Sequence, residues 1–403
     1  MTIIRADYVM RMNEAFEIIR DGAVAFDARI KAVGPADSVR DSYPDAEFID
    51  AGAESVLLPG LVNPHVHLEF SANRTTLKYG DFTEWLRSVI VHRDLLRDAC
   101  KEICIKKALD AIMHSGTTTI GAVSSFGEDL KPCKYSPLNV YYFNEVLGSA
   151  PAMVDALFAD FLWRLKESAT VTREGFLPAI SVHSPYSTHP ILAKKVLEIA
   201  KERDMVVSTH FMESEAERAW LEQGEGKLAE FFENFMPGAR PVNTPTGYLN
   251  LFEGVQTLFT HAVHATAEEV AQMEKIGYIT HCPVSNRLLG NGRLAIESVS
   301  KLTLGTDGLS SNISLSLWEE MRAALFLHHQ AEPNLLARRL LKAATRDGAA
   351  ALGKNGGILE PFKDADMIVV QLPDRLTESA DLPLQLLLHA KKADMVVIRG
   401  EVR

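Results

Sequence analysis

A chain of 403 residues, 47% hydrophobic and 24% charged, has the balance of a globular protein with a sizeable core. Its formal charge of -11 argues against a nucleic-acid backbone as the main ligand, because that needs a basic footprint, but leaves room for a nucleoside. The four cysteines form no paired framework and no apolar run approaches the roughly 18 residues of a membrane span, so the expectation is a cytoplasmic protein with neither nucleic acid nor membrane as partner.

The first fifty-odd residues are expected to form short strands and turns. "TIIRADYVMRM", "EIIRDGAVAFD", "RIKAVGP" and "AEFIDA" are brief, β-rich and bounded by Gly, Asp or Pro. The opening residues contain no signal-peptide core. The C-terminus has the same texture in "ADMIVVQL" and "ADMVVIRGEVR", which predicts that both ends join into one composite β domain. Between them, eight apolar runs alternate with helix-like stretches: "VLLPGLVNPHVH", "TTTIGAV", "NVYYFNEV", "LPAISVH", "MVVSTH", "TLFTHA", "YITHCP" and "LTLGTD". Strands of that kind form a parallel sheet buried on both faces, and eight of them close a (β/α)8 barrel. The expected fold is therefore α/β: a TIM barrel over residues 57–355, with a small composite β-sandwich built from residues 1–56 and 356–403. Cys100 and Cys104, four apart on a predicted helix, read as helix packing, with metal binding as the alternative.

In such a barrel the chemistry sits at the C-terminal ends of the strands. Here those ends carry His65, His67, His183, His210, His261, His281 and Asp307. His65 and His67 are two apart on a strand, so their imidazoles share one face. A lone strand-end histidine is more often structural; six histidines and an aspartate on one rim argue otherwise. Three imidazoles and a carboxylate suit Zn²⁺ or a similar divalent ion, whereas calcium and magnesium prefer oxygen ligands. A cation of this kind lowers the pKa of a water ligand from 15.7 to about 7. Glu213, three residues beyond His210, is placed to carry a proton, with an acidic helix start as the competing reading.

The segments "LLPGLVNPHVHLEF", "GTTTI", "VHSPYST", "STHFMESEAE", "FTHAVHAT", "HCPVSNRLLGNG", "LGTDGLSSN" and "GGILEPFKDADMIVV" resemble the amidohydrolase superfamily, in its branch of cytosine, guanine and adenosine-type deaminases and triazine hydrolases. The resemblance spans nearly the whole chain. It implies that His65, His67, His210 and Asp307 hold one divalent metal ion per chain, zinc or else iron. It also implies that Glu213 shuttles protons, that His261 (rather than the nearby His264) orients the attacking water or polarises the substrate, and that Asp307 acts as a base. The bridging lysine of two-metal relatives is missing from "LPAISVHSPY", so a single metal is expected.

The long segment "SANRTTLKYGDFTEWLRSVIVHRD" is expected to be a lid, and its Trp85 resembles a tryptophan of methylthioadenosine and adenosylhomocysteine deaminases. His92, Arg93 and Asp94 stand where those relatives have a ribose-binding glutamate, a departure that loosens the analogy. The texture of the chain is most similar to the aminofutalosine deaminases of menaquinone biosynthesis. That resemblance implies hydrolytic loss of ammonia from C6 of an adenine nucleoside and a homodimer, with His183 contacting substrate, Trp85 enclosing it or else serving as a core residue at a helix start, and Glu145 contacting it or else supporting the site from behind. His281 is left between pocket and support. Guanine or cytosine deaminases and triazine hydrolases would share the same metal ligands. A non-catalytic metal-binding barrel is disfavoured by the presence of both Glu213 and Asp307.

Overall fold

The computed structural model describes residues 1–72 and 75–403. Eight strands, β1 (Thr2–Met10), β2 (Ile18–Phe26), β3 (Ile30–Pro35), β4 (Glu47–Asp50), β5 (Ser55–Pro59), β14 (Met367–Gln371), β15 (Met395–Ile398) and β16 (Glu401–Val402), form one curled sheet from both termini. Its order is β16-β15-β14-β5-β1-β2-β3, with β4 paired to the first half of β1 and β5 to the second. Alternation sorts the side chains by face. Leu57, Met367 and Val369 pack in the sheet's own core with Ile4 and Val24, while Val56, Leu58, Ile368 and Val370 face the large core of the barrel. The composite sheet thus has an apolar surface on both sides, which is why its strands are near-continuous hydrophobic runs.

The second sheet is parallel throughout: β6 (Leu61–His67), β7 (Thr117–Ser124), β8 (Asn139–Val146), β9 (Phe176–Val182), β10 (Val207–Phe211), β11 (Thr257–His261), β12 (Gly277–His281) and β13 (Leu302–Leu304). These are the eight strands expected, wound as a nearly closed barrel. The first and last strands meet through the Asn63 side chain and one backbone bond. Asn63 donates to Thr306 Oγ1 (2.7 Å) and accepts from the Thr306 N–H (3.2 Å), and the Asp307 N–H donates to the His65 carbonyl (3.2 Å).

Two segments differ from the reading of the sequence. The first apolar run is two strands in two sheets, so a boundary at 56/57 falls inside β5. The chain changes sheets at Gly60, where a Cβ would lie 2.2 Å from the Thr118 side chain. The presumed lid loop is half helix, Phe82–Ala99. Asp81 caps it by accepting from the N–H groups of Thr83 (3.0 Å) and Glu84 (3.1 Å), a strong start signal in "DFTE".

Candidate metal centre and active site

The strand ends deliver imidazoles to one point. His65 and His67 lie at the end of β6, His210 on β10 and His261 at the end of β11. His67 Nε2 and His210 Nε2 are 3.3 Å apart, and Asp307 Oδ1 is 3.8 Å from His67 Nε2. The ring centroids of His65 lie 4.9 Å from those of both His67 and His210. Two ligand triplets, His65–His210–His261 and His65–His67–Asp307, each bring their donor atoms within 4.8 Å of one another.

Each ring is oriented from behind. His210 donates Nδ1–H to the His183 carbonyl (2.8 Å), His65 Nδ1 meets Thr260 Oγ1 (3.2 Å), and His261 donates Nδ1–H to Asn286 Oδ1 (2.8 Å). These contacts leave the Nε2 lone pairs facing inward, the arrangement metal-ligating histidines use. His65 Nε2 is buried and has no hydrogen-bond partner. An orphaned buried acceptor costs free energy unless something binds it, so the donor set fits a divalent cation.

Electrostatics agree with that fit. Burial, then the neighbouring imidazoles, hold His65 well below the ordinary histidine range; burial first and His183 next push His210 down to about 3. Burial likewise lowers His183 to about 3. Neutral imidazoles are the form that binds metal. Burial alone would raise the Asp307 carboxyl, but His67, His261 and His210 outweigh it and leave it lowered, hence ionised. Asp307 Oδ2 also accepts from Ser285 and Ser311, each at 2.8 Å.

Glu213 stands beside this cluster, with Oε1 3.6 Å from His261 Nε2 and accepting from Asn291 Nδ2 at 3.1 Å. Burial, with help from Asp307 and Glu217, pushes its carboxyl well above the usual range. The helix that follows begins at Glu215 with Ser214 as its cap, so Glu213 precedes the helix rather than opening it. The turn is anchored by Glu217, whose carboxylate accepts from the N–H groups of Met212 (3.1 Å) and Glu213 (2.8 Å). Met212, His261 and Asp307 all have positive φ (49°, 74° and 56°). Non-glycine residues held there carry backbone strain, and such strain clusters at functional sites.

The remaining candidates fall into two groups. His183 joins the cluster: its ring is 4.9 Å from that of His210, with Nδ1 2.6 Å from Ser187 Oγ. Glu145 is buried behind it, accepting from Ser125 Oγ (2.5 Å) and Ser181 Oγ (3.2 Å), and its carboxylate groups with His183 and His210. Trp85 is half-buried and donates Nε1–H to the Ser310 carbonyl (2.8 Å), tying the covering helix to the loop after Asp307. Tyr186 and Phe82 connect His183 to Trp85 through ring contacts.

His281 lies outside the cluster, 3.4 Å from His328 Nε2 and accepting from Asn286 Nδ2 at 3.5 Å; it is support for the residue that orients His261. His264 bonds the Asn291 carbonyl (2.7 Å) and lines a cavity of about 380 Å³ with Phe82, Thr83, Ser214 and Asn291. Sequence reasoning assigned no role to Ser285, Asn286, Asn291 or Ser311. Their signal was present in "HCPVSNRLLGNG" and "LGTDGLSSN", whose polar residues crowd strand ends.

Comparison with known proteins places this geometry. The chain is 48% identical over 387 residues, 95% of both chains, to an aminodeoxyfutalosine deaminase of a Nitratiruptor species. It is 35% identical to an adenosine deaminase of Helicobacter pylori, across 99% of this chain and 98% of that one. The crystal structure of Helicobacter pylori aminofutalosine deaminase in complex with methylthio-coformycin superposes with a TM-score of 0.95 at 34% identity, covering 100% of both chains. Residues 56–403 match the model of the amidohydrolase family, and the chain belongs to that family.

Proposed function

We propose that this protein is a metal-dependent hydrolase that deaminates an adenine nucleoside at C6, with 6-amino-6-deoxyfutalosine as its principal substrate and methylthioadenosine, adenosylhomocysteine and adenosine as others. The observation that carries the reading is the convergence of His65, His67, His210 and His261 on Asp307, whose carboxyl is held low, beside a buried Glu213 whose carboxyl burial pushes well above the usual range. The substrate follows from the 48% identical relative, which is named for that activity.

His65, His67, His210 and Asp307 would hold one cation per chain, zinc or else iron. When bound, the cation supplies a water activated for attack at neutral pH. His261, fixed by Asn286, orients that water, and Asp307 accepts a proton from it. Glu213 passes a proton to the adenine ring nitrogen adjoining C6, which prepares C6 for attack. Glu213, now a carboxylate, takes the hydroxyl proton of the tetrahedral carbon and delivers it to the amine, which leaves as ammonia as the C6–N bond breaks, and the proton held by Asp307 returns to Glu213. The overall change is nucleoside plus water giving the 6-oxo nucleoside plus ammonia. Trp85, His183 and Glu145 form the substrate side of the site. Two copies of the chain are proposed to associate as a homodimer.

The test is a panel assay on metal-loaded protein, following loss of adenine absorbance and release of ammonia. Aminodeoxyfutalosine, methylthioadenosine, adenosylhomocysteine and adenosine should be turned over, with guanine, cytosine and atrazine inert. Turnover confined to the last three would overturn the adenine-nucleoside reading while leaving a metal-dependent hydrolase.

A further inference from the structure

Beyond the candidate metal centre, two thiols stand together. Cys100 ends the covering helix Phe82–Ala99 and Cys104 lies in the first turn of the next helix, Glu102–His114. Their sulfurs are 2.8 Å apart, and among the described residues no third His, Cys, Asp or Glu completes a metal site with them. The Cys100 thiol is buried and lies 3.7 Å from the Leu68 carbonyl, one residue beyond His67. Cys104 is half-buried and lines an open cavity of about 580 Å³ with Ala72, Lys107, Ile313 and Leu315. One sulfur is therefore reachable from solvent and the other waits directly behind it. Helix packing accounts for Cys100, as the sequence suggests, but packing alone has no use for a second sulfur at this separation.

We propose that Cys100 and Cys104 form a redox modification site, a dithiol that small hydroperoxides oxidise to an intrachain disulfide. The Cys104 sulfur attacks one peroxide oxygen, the O–O bond breaks, and a first water leaves as Cys104 becomes a sulfenic acid. The Cys100 sulfur then attacks the Cys104 sulfur, the S–O bond breaks, and a second water leaves. The two thiols lose two electrons and two protons, and hydrogen peroxide takes them up as two waters. Peroxide meets Cys104 first because Cys100 is buried, its thiol pushed up to about 12 by burial and then by the Cys104 hydrogen bond, and Cys100 reacts only with the sulfur beside it. The disulfide fixes the end of the helix whose other end carries Phe82 and Trp85 at the candidate site, and so couples thiol state to the cover of that site.

Trypsin reads the bond directly, because it cuts after Arg97, Lys101 and Lys106 and so separates the two cysteines into "DACK" and "EICIK". Metal-loaded protein treated with hydrogen peroxide should yield these two peptides joined, two hydrogens lighter than their sum, and dithiothreitol should part them. Amide exchange across residues 92–100 should slow several-fold on oxidation, since a cross-link suppresses fraying of the helix end. The variant Cys104→Ser should show neither effect. Separate peptides, with Cys104 carried on to sulfinic acid, would overturn the site. A joined pair with unchanged exchange would overturn its coupling to the helix.

Discussion

At His65 a single atom states the need of the whole site: Nε2 is buried, its ring is fixed through Nδ1, and no protein group meets it. His210→Ala or His65→Ala should therefore lose bound metal and turnover together, while circular dichroism and the thermal midpoint stay near the parent. The barrel is built from apolar strands, not from these rings. Full metal content by elemental analysis in either variant would sink the ligand assignment. Glu213→Gln should separate the two properties. The amide keeps the shape and can still meet Asn291, but it is too weak an acid and too weak a base to pass a proton and take one back. Metal content should remain near one per chain with kcat reduced by roughly two to four orders of magnitude. Loss of the metal in this variant would make Glu213 a ligand instead.

The strand ends and the covering helix are the elements that set the site's shape. Met212, His261 and Asp307 hold positive φ at or just past the ends of β10, β11 and β13, so the backbone bends there instead of continuing as strand. The covering helix is pinned at its start. Asp81 caps it and accepts from Lys227 Nζ (2.5 Å), which leaves the carboxyl lowered to about 2 although its burial works the other way. Asp81→Ala removes the cap at a cost of about 1 kcal/mol. That loss should fall on the helix and not on the barrel, so KM should rise about fivefold, the equivalent of that energy, with the global unfolding midpoint nearly unmoved. An unchanged KM beside a lowered global midpoint would show that the helix does not cover the substrate.

Across the whole molecule, the terminal sheet is locked to the barrel by a buried lysine between two carboxylates, Asp366 buried and Asp364 partly exposed. Lys354 Nζ lies 2.9 Å from Asp364 and 2.8 Å from Asp366, and Asp366 also accepts from Asn139 at the start of β8 (2.9 Å). Lys354→Met leaves a buried carboxylate without its cation, and removing one partner of such a pair costs about 3–5 kcal/mol. Urea unfolding should register that loss; a change under about 1 kcal/mol would show that the seam is held by apolar contact alone. Stability should also depend on pH through Glu320, which burial pushes up to about 8. Unfolded, the carboxyl ionises near 4.3. The folded state thus holds the extra proton between those values, and this contribution is fully present at low pH and lost as pH rises through about 8. Relative to Glu320→Gln, the parent should lose stability between pH 5 and pH 8 in parallel denaturant titrations. Parallel curves would place the Glu320 pKa in the ordinary range.

Period and order along the chain were enough to identify the eight barrel strands, the pairing of the two termini and the rim positions of His65, His67, His210, His261 and Asp307. Strand ends are local features, and one rim collects them all. The HxH spacing carries its own geometry, because two residues along a strand is one full repeat. What the linear chain left open is what distant segments do to one another. "VLLPGLVNPHVH" has no break in hydrophobicity at Gly60; the chain changes sheets there, and the approach of Thr118 leaves no room for a Cβ at that point. His261 is separable from His264 in "THAVHAT" by its place at the strand end, but their partners are not: Asn286, in the short helix Pro283–Leu288, accepts from His261, and the carbonyl of Asn291 meets His264. The two sulfurs at Cys100 and Cys104 read as helix spacing until the helix ends between them. Residue types and periods are written locally and survive in one dimension, whereas the partner of a side chain is fixed only when the barrel closes.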